Sequence, residues 1–288
     1  GSGTLLMSIA HQIGEENCTI YSEDISQKSS NMLRLNLVLN NLTHSIPNII
    51  KTNTIAQPYY LESKFDYIVS NPPFKLDFSD FHAYLDKEAF KKRFFGGIPK
   101  IKAKDKDKME IYLLFIQHII HSLNENGKAA IVVPTGFITA QSGIEKKIRE
   151  RLIDNGWLRG VVSMPSNIFA STGTNVSVLF LDKKADNQHI VLMDASKLGE
   201  TIKEGKNQRT VLTTAEEDKI ISTFNEKQAV EDLSVVVSKE EIAAKNYSFS
   251  AGQYFEVKIE YTDITAEEFA EKMTGFENRL VDLFQQGN

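Results

Sequence analysis

An α/β fold built on a mostly parallel sheet is the class that this sequence predicts, and three observations carry it. Short apolar runs alternate with segments of helical periodicity, the connections between them are short, and residues 129–133 are wholly apolar, as a strand covered on both faces must be. With 288 residues, 41% hydrophobic and 25% charged, the chain can bury a sizeable core, which excludes the disordered and fibrous classes.

The elements follow in order. Residues 5–13 read as a helix, 19–21 as a short strand ending at Glu23 and Asp24, and 26–42 as a strong helix. Ile49 and Ile50 make another short strand, and residues 65–70 a clearer and buried one, stopped at Asn71-Pro72-Pro73 because proline cannot continue a ladder. After a polar stretch over 75–108, Tyr112, Phe115, Ile116, Ile119, Ile120 and Leu123 follow the i, i+3, i+4, i+7 rule of a helix that Gly127 should end. A strand at 129–133, a helix at 144–155 and strands at 157–163 and 177–181 complete the alternation.

The last hundred residues differ. A short strand at 190–193 is followed by helices announced by capping boxes at Thr214/Glu217, Ser238/Glu241 and Thr265/Glu268. The chain is therefore divided into a domain over 1–185 and an appendage over 186–288. In the final helix Phe269, Met273, Phe276, Leu280 and Leu283 are spaced 4-3-4-3, a heptad seam suited to docking on a partner helix.

Charge and cysteine content narrow the function. A formal net charge of -5 does not suit a protein that grips DNA alone, so any nucleic-acid contact is local or shared with a partner. The local exception lies between Lys87 and Lys108, where nine basic residues stand against three acidic ones, and its place after Asn71-Pro72-Pro73-Phe74 suggests a strand-contacting loop. The single cysteine, Cys18, has no neighbour at metal-ligand spacing, so no metal is expected and the thiol should be buried in a reducing compartment. No apolar run approaches the roughly 20 residues of a membrane span, and no signal-peptide layout is present, which points to the cytoplasm.

The chemistry is concentrated in two places. Gly1 and Gly3 before a helix let backbone N–H groups approach a ligand, and Asp24, about 20 residues on after the next strand, suits ribose hydroxyls. Asn71-Pro72-Pro73-Phe74 answers the needs of methylating a planar amino group. The Asn71 side-chain oxygen and the Pro72 carbonyl accept the two N–H bonds, the prolines stiffen the loop, and Phe74 stacks on a base that has left its duplex. Such stacking contributes about 1 to 3 kcal/mol. Pro73 and Lys75 are assigned to the substrate side, with Lys75 and Ser79 within reach of a nucleic-acid backbone, whereas His82 reads as a loop histidine.

Gly1-Ser2-Gly3-Thr4-Leu5-Leu6, Asn71-Pro72-Pro73-Phe74, the stretch 157–167 and Thr172-Gly173-Thr174-Asn175 resemble, in this order, the methylation subunit of type I DNA restriction-modification systems. Residues 194–199, 204–208 and 246–254 resemble the C-terminal part of the same family. The resemblance implies an S-adenosylmethionine-dependent DNA adenine N6-methyltransferase with a seven-stranded Rossmann-like sheet ending in a hairpin. It also implies an assembly of two such subunits with a specificity subunit, which reads DNA, and a restriction subunit. By position, Gly1, Ser2, Gly3 and Thr4 would serve the cofactor, with the two glycines at its methionine part. Asp24 would hold the ribose, and Asn53, where the family has Asp, would keep an acceptor oxygen beside the adenine.

The family's pattern reads Asp-Pro-x-x-Gly-Ser-Gly-Thr, so the resemblance further implies an N-terminal part upstream of Gly1 that includes a central strand of the sheet. Two alternatives remain open: another amino-group methyltransferase, acting on RNA guanine or protein glutamine, and a non-catalytic scaffold that keeps the fold but not the cofactor.

Overall fold

The computed structural model describes residues 1–85, 87, 90–169, 174–184, 187–205, 207–255 and 265–286. The chain divides into two compact units, Gly1–Phe255 and Glu256–Asn288.

Helix α1 (Thr4–Ile13) leads into β1 (Ser22–Asp24), and α2 (Gln27–Leu39), capped by the Ser26 hydroxyl, leads into β2 (Ile49–Lys51). β1 and β2 form a two-stranded parallel sheet, on which Ala10, Leu33, Leu37 and Ile49 pack as one cluster. Then follow β3 (Phe65–Ser70), α3 (Ser79–Leu85), α4 (Tyr112–Ser122), β4 (Leu123–Pro134), α5 (Gly136–Thr139) and α6 (Gly143–Asp154). The remaining elements of this unit are β5 (Leu158–Ser163), β6 (Val176–Asp182), β7 (His189–Asp194), β8 (Glu200–Glu204), β9 (Asn207–Val211), α7 (Thr214–Asn225), β10 (Ser234–Ser238) and α8 (Lys239–Ala244).

The larger sheet has the order β10-β7-β5-β6-β4-β3. β3 is parallel to β4 and β5 to β7, while β6 runs antiparallel between β4 and β5, so β5 and β6 are the expected hairpin. Alternate residues of its inner strands serve opposite faces. Leu158, Leu179 and Leu192 face the main core with α4, α6 and α8, whereas Val162, Phe180 and Met193 face α7 through Phe224.

Four expectations are corrected. A boundary near Ala185 would cut the sheet, because β7 and β10 extend it beyond β5; pairing across a long sequence separation overrides the change in local pattern. The strand before Asn71 is not buried as expected: every residue of β3 is half-buried or exposed, and Tyr67 is 55% exposed. The helix ends at Ser122, not at Gly127, which instead lies in β4 where a Cβ would meet the Phe65 carbonyl at 2.9 Å. The first capping box is Thr213/Glu216, one residue early, because Glu216 also accepts the Gly199 N–H at 2.8 Å. The boxes at Ser238/Glu241 and Thr265/Glu268 form as read.

A groove of about 870 Å³ separates the two sheets, lined by Ser22 and Glu23 of β1 and by all of β3. Neither β1 nor β3 has a strand partner on that side among the described residues. Leu6, Ile9 and Ala10 of α1 also line it, together with Phe115, His118 and Ser122 of α4. Glu23 Oε2, His118 Nδ1 and Ser122 Oγ have no hydrogen-bond partner among the described residues. Cys18 also lines the groove, half-buried, with its thiol pushed up by burial and by Glu15 and Glu16.

The second unit holds α9 (Ala266–Gln286), on which Phe269, Met273, Phe276, Leu280 and Leu283 are all exposed. Among the described residues no helix is long and apolar enough to cross a membrane.

Two predictions follow from this packing. Arg149 is fully buried; its Nε donates to the Tyr247 carbonyl at 2.7 Å and its two Nη atoms to Phe137 and Ala140. Arg149→Met leaves three carbonyls without that donor, and urea denaturation should register a loss of about 3 kcal/mol or more. Burial and the cations Arg93, His121 and Lys64 push His118 down to about 3. The unfolded imidazole binds its proton first, so stability falls as pH drops from about 6.5 toward 3, by up to about 1.4 kcal/mol per pH unit. His118→Leu should flatten that slope in denaturation curves taken between pH 7.5 and 5.

Candidate active site

Asn71 directly follows the last residue of β3. It is exposed, and its side chain makes no hydrogen bond among the described residues, so both amide atoms are available to a ligand. Pro72 is buried and Pro73 exposed, which anchors one side of the turn and presents the other. Phe74 is half-buried against the main core, with the Tyr112 ring at its edge, 6.2 Å between centroids and 73° between planes. Tyr112 is itself held edge-on by Phe137 at 6.3 Å and is 3% exposed. This relay of rings fixes the plane of Phe74. Burial pushes the Tyr112 hydroxyl up, so it stays neutral.

Asp24 ends β1 and Asn53 follows β2, so both lie beyond the carboxyl ends of parallel strands, where open α/β sheets bind ligands. Asp24 Oδ1 accepts the Ser26 N–H at 2.7 Å. Glu23 is committed elsewhere: its Oε1 accepts the Tyr60 N–H at 2.7 Å, and burial raises its carboxyl. The Thr52 N–H donates to the Asp24 carbonyl at 3.2 Å, which ties the two strand ends together.

Asn53 departs from the expectation in one respect. Its side-chain oxygen already accepts the N–H groups of Ile55 and Ala56, both at 3.0 Å. Two donors require the oxygen there, so the amide NH2 is the group left for a ligand, a donor suited to an adenine ring nitrogen rather than to its amino group.

Gly3 has a packing duty of its own. It takes φ +86° at the start of α1, and a Cβ would lie 2.2 Å from Leu33 Cδ1 on α2, whereas Gly1 has open space around it. Ser2 is exposed; its carbonyl accepts the Asn36 side-chain N–H at 2.9 Å and its hydroxyl lies 3.2 Å from that of Thr4. The structure thus places Ser2, Gly3 and Thr4 at the head of α1, with Ser2 tied to α2 through Asn36, and Gly1 directly before them.

Segment 75–108 is not a plain solvated loop. Phe78, Leu85, Phe90 and Phe94 are buried in a cluster with Ile55 and Met109. Lys75 is exposed, and so are the eight lysines between Lys87 and Lys108, but Arg93 is buried. His82 lies in α3, stacked on Phe78 and donating to the Pro99 carbonyl at 3.0 Å, a structural histidine. Of Thr172-Gly173-Thr174-Asn175, the first two fall outside the described residues; Asn175 accepts the Thr135 N–H at 3.0 Å. Among the described residues no group of three or more His, Cys, Asp or Glu is placed to hold a metal.

Sequence reasoning missed Tyr112, Ile55 and the inward turn of Arg93. The flanking Phe90, Phe94 and Phe95 were the available signal for Arg93, since an aromatic cluster inside a basic run marks a side that packs.

The larger sheet is covered on both faces, and the Asn71-Pro72-Pro73-Phe74 turn leaves the end of its strand β3. The chain belongs to the N-6 DNA Methylase family, whose model matches residues 1–263. It is 28% identical to the type I restriction enzyme MpnII methylase subunit of Mycoplasma pneumoniae over 99% of this chain and 54% of that protein. It is 25% identical to the MjaIX methylase subunit of Methanocaldococcus jannaschii over 99% and 51%. The crystal structure of the type I restriction-modification system methyltransferase subunit from Streptococcus thermophilus matches with a TM-score of 0.74 at 25% identity, over 89% of this chain and 53% of that one. The chain therefore spans about half the length of these relatives.

Replacing Gly3 by alanine should destabilise the fold by about 1 to 3 kcal/mol, through the clash with Leu33 and the left-handed backbone. Thermal unfolding should show that shift, and Leu33→Ala in the same chain should recover the part due to the clash.

Proposed function

We propose that this chain carries the catalytic core of a site-specific DNA adenine N6-methyltransferase, the methylation subunit of a type I restriction-modification complex. The observation that carries the reading is Asn71, held at the end of β3 with its side chain unbonded and followed by Phe74 at a fixed angle. A flipped adenine stacks on Phe74. The Asn71 Oδ1 and the Pro72 carbonyl accept the two N6–H bonds, which draws the amino group out of conjugation and turns its lone pair toward the donor. The exposed Pro73 and Lys75 lie on the nucleic-acid side.

S-adenosylmethionine, when bound, supplies a methyl group made electrophilic by a positive sulfur. The residues present fit its adenosine half: a carboxylate at Asp24 for the ribose diol and an amide donor at Asn53 for the adenine, joined through Thr52. Gly1, Ser2, Gly3 and Thr4 at the head of α1 would hold its methionine half.

Sequence recognition falls to a specificity subunit, with a second copy of the methylation subunit and a restriction subunit completing the assembly. The net charge of -5 and the exposed apolar seam of α9 support shared rather than solitary DNA binding.

The test is transfer of labelled methyl to duplex DNA by the full methylation subunit together with its specificity subunit, followed by identification of N6-methyladenine. Asn71→Ala should lower transfer by about 100-fold or more with an unchanged circular dichroism spectrum. Transfer by the variant within tenfold of wild type, or label on another base, overturns the reading.

A further inference from the structure

Of the nine basic residues between Lys87 and Lys108, Arg93 alone turns inward and is 2% exposed. Its guanidinium lies 4.2 Å from the Phe94 ring centroid and 5.2 Å from that of Phe90, and Nη2 donates to the Ile55 carbonyl. Ile55 belongs to the turn in which Asn53 Oδ1 accepts the N–H groups of Ile55 and Ala56 and Thr52 donates to Asp24. A hydrogen-bonded path therefore runs from the segment after Asn71-Pro72-Pro73-Phe74 to the cofactor-side residues Asn53 and Asp24. Apolar contact doubles it, since Ile55 is buried in one cluster with Phe78, Phe90 and Phe94.

The arrangement is costly. Among the described residues Arg93 Nε and Nη1 have no hydrogen-bond partner, and burial pushes the guanidinium down to about 10 against the pull of Glu23, so it remains a buried cation at neutral pH. An apolar side chain of similar volume would fill the space without that cost. What the guanidinium adds is one directional, charge-assisted bond to a particular carbonyl.

We propose that Arg93 is a positioning residue that couples the two halves of the site: by holding the Ile55 carbonyl it makes the 52–56 turn and segment 75–108 respond as one body. Cofactor bound at Asn53 then tightens DNA binding by the lysines of that segment, and DNA tightens cofactor binding by the same factor. The inference rests on the reading of Asp24 and Asn53 as cofactor residues.

The experiment measures the affinity of S-adenosylhomocysteine by calorimetry, with and without target duplex, for the full methylation subunit with its specificity subunit. Wild type should bind it at least about fivefold more tightly in the presence of DNA. In Arg93→Met this ratio should fall below about twofold, with a smaller change in DNA-free affinity, and Arg93→Lys should restore part of it. Hydrogen exchange supplies the second readout. Cofactor should slow exchange in both 52–56 and 78–94 in wild type, and in 52–56 alone in Arg93→Met. If Arg93→Met does not fold, Arg93→Lys, which keeps the charge without the planar fork, should still show a reduced ratio. A full ratio in the folded variants overturns the coupling, as does an equal loss of affinity with and without DNA. Failure of wild type to bind S-adenosylhomocysteine overturns the cofactor reading and the coupling with it. Binding without any DNA effect in wild type overturns the coupling alone.

Discussion

Two adjacent residues without a backbone N–H, Pro72 and Pro73, set the geometry of the proposed target side. A strand cannot gain ladder bonds through them, so β3 stops at Ser70 and Asn71 is delivered to the rim of the sheet instead of into it. The same stop makes Phe74 turn back onto Tyr112, and through Tyr112 and Phe137 the stacking face is keyed to the main core. A flexible loop could offer the same atoms, but it would lose much of their advantage by having to order them at the moment of reaction.

On the proposed cofactor side, hydrogen bonds within short turns hold the candidate residues. Asp24 caps the Ser26 N–H, Asn53 folds its own turn, and the Thr52 N–H joins the two strand ends. The side chains that would meet a ligand are thus partly spent on holding themselves in place. That is why Asn53 presents an amide donor rather than the acceptor expected from its sequence position.

How far these features could be read in advance depended on their range. Asn71-Pro72-Pro73-Phe74, the strands β5 to β7 and the boxes at Ser238 and Thr265 are local chemistry, and local chemistry is written in short stretches of sequence. The joining of β7 and β10 to the sheet across residue 185 and the burial of Arg93 are products of distant pairing. Periodicity carries no record of which strand lies beside which. Gly127 misled for a related reason: a glycine after a helical run reads as a stop, whereas its use is to let β4 approach the Phe65 carbonyl.

The groove between β1 and β3 has a consequence for handling these 288 residues by themselves. Among the described residues, each flanking strand offers a row of N–H and C=O groups with no strand neighbour, bordered by exposed Tyr21 and Tyr67. Uncovered edges of this kind act as templates for any extended chain of suitable polarity, including another copy in the same tube. Solubility and shelf life would then depend on concentration and on how crowded the sample is with unfolded polypeptide, even though the inner strands of the larger sheet are well packed.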